Sequence, residues 1–157
     1  MTYSHVVRAL GSLPWPTSIG KDLEYPGLRG VVLDYMNPPS GGSRSFEAAF
    51  GAEAGLRAAI NEALSSAVWA ASLERIDEAL TIGRTSPLLG RVLTDVDPWR
   101  QWARPLVEAH GPLVRHWVYY PILLAGSGIG DGRHRLTYLR LHHDPSYPVL
   151  VRVNHAR

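Results

Sequence analysis

Tyr120-Pro-Ile-Leu-Leu-Ala-Gly-Ser-Gly-Ile-Gly-Asp-Gly-Arg-His-Arg-Leu-Thr-Tyr-Leu-Arg140 is the stretch that decides how this chain folds. An apolar run closes at Leu124, and residues 125–131 hold three glycines before Asp131, which reads as a loop. The periodicity then changes. From Gly132 to His143 apolar residues return at helical spacing, with Leu136, Leu139 and Tyr138 placed to face a sheet and Arg133, His134 and Arg135 in the first turn. A turn over Asp144-Pro-Ser-Tyr-Pro148 leads into Val149-Leu-Val-Arg-Val153, a second apolar strand. Residues 113–157 therefore predict a β-loop-α-β unit.

Working back, Val114-Arg-His-Trp-Val-Tyr-Tyr-Pro-Ile-Leu-Leu124 is aromatic and β-branched, which predicts one or two strands with a bend at Pro121. Residues 45–112 predict mainly helix. Ser45 is placed as an N-cap with Glu47 in the first turn, Gly51 and Gly55 split the region, and an apolar stripe runs from Leu56 to Ala71. Ser86-Pro87 and Asp97-Pro98 read as helix starts, His110-Gly111 as a helix stop, and Pro105 as a kink or break. Residues 1–44 are rich in Pro and Gly and offer one strand, Arg29-Gly-Val-Val-Leu-Asp-Tyr35, before a loop at residues 38–42. The expected architecture is one α/β (α+β) domain over 1–157, a small mixed sheet with packed helices.

At 157 residues with 45% hydrophobic and 19% charged residues, the chain has the length and composition of one folded core. It has no cysteine, which removes disulfides, thiolate nucleophiles and cysteine-based metal centres together. No apolar run reaches the roughly 18 residues of a membrane helix, nor has the first segment a signal-peptide core, so no membrane partner and a cytoplasmic location are expected. Lys21 is the single lysine among sixteen basic residues. Arginine suits bidentate contact with phosphate, although a GC-rich genome gives the same bias.

Chemistry concentrates in the glycine loop. Gly128, Gly130 and Gly132 let a ligand approach the backbone, and the helix start that follows presents free amides and a positive dipole end. Arg133 and Arg135 add guanidinium forks matched to phosphoryl oxygens. Asp131 and His134 are the candidate catalytic groups, one as a carboxylate and the other as an acid or base near neutral pH. The plainer alternative has Asp131 capping the helix while the arginines solvate its face. No metal-ligand set is evident: in His142-His143-Asp144 adjacent side chains diverge, and interaction with the helix C-terminal dipole accounts for the histidines. Trp99, Trp102, Trp117, Tyr119 and Tyr120 serve either as core or as a stacking platform for bases.

The segment Gly130-Asp131-Gly132-Arg133-His134-Arg135 between apolar strands resembles the Asp-Gly-x-x-Arg signature of the ParB/sulfiredoxin-like superfamily, over about Trp117 to Val153. The resemblance implies a ParB/sulfiredoxin-type unit and phosphate contact by Gly132, Arg133, His134 and Arg135. It further implies a stand-alone domain that binds a nucleotide, CTP or ATP with Mg2+ as companion, and admits phosphoryl transfer or hydrolysis. The sulfiredoxin reaction needs a cysteine, which is absent. A DNA-binding or nuclease module is the first alternative, and a protein-interaction domain that keeps the fold without catalysis is the second.

Overall fold

The first and last strands of this chain lie side by side. Strand β1 (Thr2–Ala9) pairs antiparallel with β5 (Pro148–His155) along its whole length, from Thr2 opposite His155 to Ala9 opposite Pro148. The structure, a computed structural model, describes residues 1–155. Between these strands the chain forms α1 (Leu28–Met36), α2 (Phe46–Ala52), α3 (Ala54–Leu64), α4 (Ile76–Arg84), β2 (Val92–Leu93) and α5 (Asp97–His110). A single turn α6 (Pro112–Val114) runs into a π-helical turn (Arg115–Tyr119), followed by β3 (Ile122–Ala125), β4 (Gly128–Asp131) and α7 (Arg133–His142). The sheet order is β2-β1-β5-β3-β4, with β3 parallel to β5 and the other pairs antiparallel. The fold is mixed α/β, as the sequence indicated.

Sheet register sorts the side chains. Tyr3 lies opposite Asn154, His5 opposite Arg152 and Val7 opposite Leu150, so these six share one face. Helices α4 and α5 cover part of it: an added Cβ on Gly83 would stand 2.8 Å from Leu150, and the Trp99 ring stacks on His5 at 3.9 Å. Two apolar clusters result. The first joins the sheet to α4, α5 and the π-turn through Leu80, Trp99, Val118, Leu124 and Val151. The second lies among α1, α2 and α3 around Val32, Phe46, Leu56 and Ile60. Helix α7 serves both, sending Leu136 and Leu139 into the first and Tyr138 into the second.

Several expectations are corrected. Residues 29–35 are helix α1 rather than a strand, because Leu28 and Val32, one turn apart, are buried while Val31 and Leu33 stay exposed. The Val114–Leu124 run is helical up to Tyr119, burying Val114, Trp117 and Val118, and only residues from Ile122 onward enter the sheet. Residues 125–131 are not a loop throughout: Gly126 turns the chain with φ +58° and Gly128–Asp131 return as an edge strand. Ser86-Pro87 starts a turn and not a helix, with Ser86 Oγ accepting from the Leu88 amide. Helix α3 stops at Leu64, and residues 70–75 form a 3-10 turn. Helix α5 continues through Pro105, which is exposed. Ser45 caps α2 through the Ala48 amide, and Gly111 ends α5 at φ +59°, both as expected.

Candidate functional site

Pro121 sets the local problem that shapes this site. The Tyr120 amide donates to the Arg115 carbonyl, closing the π-turn, so the next donor in that pattern for the His116 carbonyl would be residue 121. Proline has no N–H. The Arg135 guanidinium fills the gap, donating from Nη1 to the carbonyls of both His116 and Tyr120. Arg135 is 7% exposed, and its Nη2 stands 3.6 Å from Asp131 Oδ2. Burial pulls its pKa below the ordinary arginine range, with the Asp131 carboxylate acting in the other direction. This arginine is thus a clamp between the π-turn and the start of α7.

Gly132 precedes α7 at φ +92°, a conformation that favours glycine, and a Cβ there would come within 3.0 Å of Ile122 and of the Arg135 guanidinium. The first amide bond of the helix runs from Leu136 to the Gly132 carbonyl. The amides of residues 133–135 therefore have no acceptor within the helix. The same residues border a cavity of about 300 Å3, whose wall also includes Lys21, Glu24, Tyr25, Trp69 and Asp131. Arg133 is exposed and forms no ion pair among the described residues.

His134 is 6% exposed, and its Nε2 accepts the Gly20 amide at 3.0 Å. That bond fixes the tautomer with the proton on Nδ1. Burial, with Arg133 and Lys21 adding to it, lowers its pKa to about 4. At neutral pH His134 is an uncharged hydrogen-bond donor whose only basic nitrogen is already engaged. Asp131 is exposed at the cavity mouth.

The structure thus brings Gly130, Asp131, Gly132, Arg133, His134 and Arg135 to one cavity, whereas Gly128, at the other end of β4, is not part of its wall. Sequence reasoning missed the residues from elsewhere in the chain: Lys21, Glu24, Tyr25 and Trp69. Lys21 carried one signal, as the lone lysine in an arginine-rich chain. Tyr25 lies 5.1 Å from the His134 ring and Trp69 packs edge-on to Tyr138 at 5.4 Å, contacts with no local sequence mark. His142 bonds Asn61 and His143 stacks on Tyr147 at 3.8 Å. Among the described residues no group of three His, Asp or Glu side chains could hold a metal ion. No helix among them is long and apolar enough to cross a membrane.

A second polar cluster lies between α5 and the sheet face that holds His5. Among the described residues five buried side-chain atoms lack a hydrogen-bond partner, and four of them belong to His5, Arg100, Arg152 and Asn154. Neither arginine forms an ion pair among the described residues. Arg100 lies over the Tyr120 ring at 5.4 Å and Arg152 over Tyr3 at 5.6 Å.

Comparison with protein-family models, curated proteins and solved structures returns no match for this chain.

Proposed function

We propose that the cavity at the start of α7 binds a nucleotide through its phosphates. The observation that carries this reading is that the start of α7, whose first three amides have no acceptor within the helix, borders one cavity of about 300 Å3 together with the unpaired Arg133 and with Lys21, which pairs with Glu24 at 3.4 Å. Anions are favoured at such a helix end by both dipole and hydrogen bonding. Arg133 supplies a free cation, Lys21 a second one shared with Glu24, and Arg135, held by two carbonyls, supplies positive potential from behind. His134 donates from Nδ1. Glu24 provides a carboxylate for a nucleotide-borne Mg2+, which takes one or two from protein. Tyr25 and Trp69 give the cavity an aromatic wall against which a base can lie.

Asp131 and His134 remain the proposed reactive pair, with Asp131 as the available base and His134 as donor to a developing negative oxygen. The test is thermal unfolding with CTP, ATP, GTP and UTP, with and without Mg2+, on wild type and Arg133→Ala. Saturation at a hundred times Kd stabilises by about 2.7 kcal/mol. Losing Arg133 should weaken binding by about 1.5 to 3 kcal/mol without changing the stability of the free protein. Indifference of the wild type to every nucleotide defeats the proposal.

The Arg100 and Arg152 cluster favours a second reading, a nucleic-acid surface, since two arginines flanked by Tyr3 and Tyr120 suit backbone phosphates and unstacked bases. Affinity for a single-stranded oligonucleotide should then fall with salt by a log-log slope of about −0.7 per phosphate contacted, and Arg100→Gln should make the slope shallower.

A further inference from the structure

A second cavity lies toward the other end of α7, and its chemistry differs. It measures about 430 Å3 and is walled by Leu10, Trp15 and Phe50, with Glu47, Arg140 and His143 as its polar groups. That size falls in the usual range for small-molecule sites, as does an apolar wall with few polar groups. The elements converging there are the 3-10 turn after β1, helix α2 and the last turn of α7.

Arg140 is fixed in place. Its Nη2 donates to the carbonyls of Leu13 at 2.8 Å and Pro14 at 3.2 Å, and its guanidinium lies 3.9 Å from the Trp15 ring centre. Its Nη1 is buried with no acceptor. Glu47 borders the same cavity from the first turn of α2, yet no ion pair joins it to Arg140. A rigid cation and a separate anion thus face one apolar space. A simple carboxylate would meet repulsion from Glu47, and a simple amine would meet it from Arg140. A ligand that carries both charges on one end and an apolar body on the other satisfies all three walls.

We propose that this cavity binds a free α-amino acid with a large apolar side chain. Its carboxylate pairs with Arg140, its ammonium with Glu47, and its side chain lies against Trp15, Phe50 and Leu10. The site is independent of the one at the start of α7. His143 borders it as a mostly neutral group, its pKa lowered chiefly by burial.

The experiment is calorimetric titration of the whole chain with L-phenylalanine and L-leucine, using phenylpropionate and phenethylamine as single-charge controls, alongside thermal unfolding. We expect both amino acids to bind and raise Tm, and both controls to bind at least tenfold more weakly. Glu47→Gln, at an exposed position, should keep the unliganded Tm and lose about tenfold in affinity for L-phenylalanine while its response to phenylpropionate improves. Arg140→Lys should lose affinity for the amino acid, and Arg133→Ala should leave it unchanged, which separates this site from the nucleotide cavity. Absence of binding by either amino acid overturns the proposal, as does phenylpropionate binding as tightly as L-phenylalanine or an unaltered affinity in Glu47→Gln.

Discussion

Burial holds His134 down to about 4 and His5 down to about 3, against an ordinary value of 6.5. An unfolded chain takes up protons at both positions as the pH falls through 6.5, while the folded chain resists until far lower. The unfolded state therefore binds more protons in that window, so stability is complete above 6.5 and is lost as the pH falls below it. Each histidine should cost about 2 kcal/mol on going from neutral pH to about pH 5. Urea unfolding across that range reads this directly, and an unmoving midpoint would refute it. Arg135 makes a different demand. Lysine at that position keeps the charge but cannot bridge two carbonyls, so Arg135→Lys should cost about 3 kcal/mol in chemical unfolding.

At the scale of elements, the segment before α1 packs closely on the backbone of α1 itself. Gly20 has φ +120°, and a Cβ there would lie 2.8 Å from the Arg29 backbone. Its amide also holds His134. Gly20→Ala should therefore cost about 2 to 4 kcal/mol through strain and overpacking, and should weaken nucleotide binding as well. Unchanged thermal stability in that variant would show that the segment does not pack as described. The same scale explains which elements were legible. Helix α7 and strand β5 carry clean periodicity flanked by Gly132 and Pro148, and Ser45 and Gly111 mark helix ends by local backbone chemistry. Helix α1 was misread because Val31, Val32 and Leu33 look like a strand, and only the burial of Leu28 and Val32 against α2 and α3 selects the helix. Strand β1 escaped notice since its inward residues include Ser4 and His5, which break the apolar alternation. The cavity's helix-borne half could be read from one contiguous motif. Its other half, Lys21 to Tyr25 and Trp69, reaches it only through tertiary packing.

Across the whole molecule, α7 is the member that both apolar clusters and both cavities share. Its ten residues span about 15 Å, so Arg133 at one end and Arg140 at the other belong to separate sites on one rigid rod. Formal charge is nearly balanced, at +2, and its local distribution matters more than its sum. Arg100 and Arg152 lie together and form no ion pair among the described residues, so raising salt should stabilise the fold slightly by screening their repulsion. Chloride titration of Tm in wild type and Arg100→Gln checks this, and the variant should respond less.

The pairing of β1 with β5 also has a consequence in time. A chain made from its N-terminus presents β1 long before its partner exists, and until then only the two residues of β2 can pair with it. The parallel β3 and β5 pair must wait as well. Helices and the β3–β4 hairpin can form from local contacts, but the centre of the sheet closes last, over the longest loops in the molecule. A nascent or refolding chain thus carries an unpaired strand edge through most of its history, the period in which association with other chains can divert it.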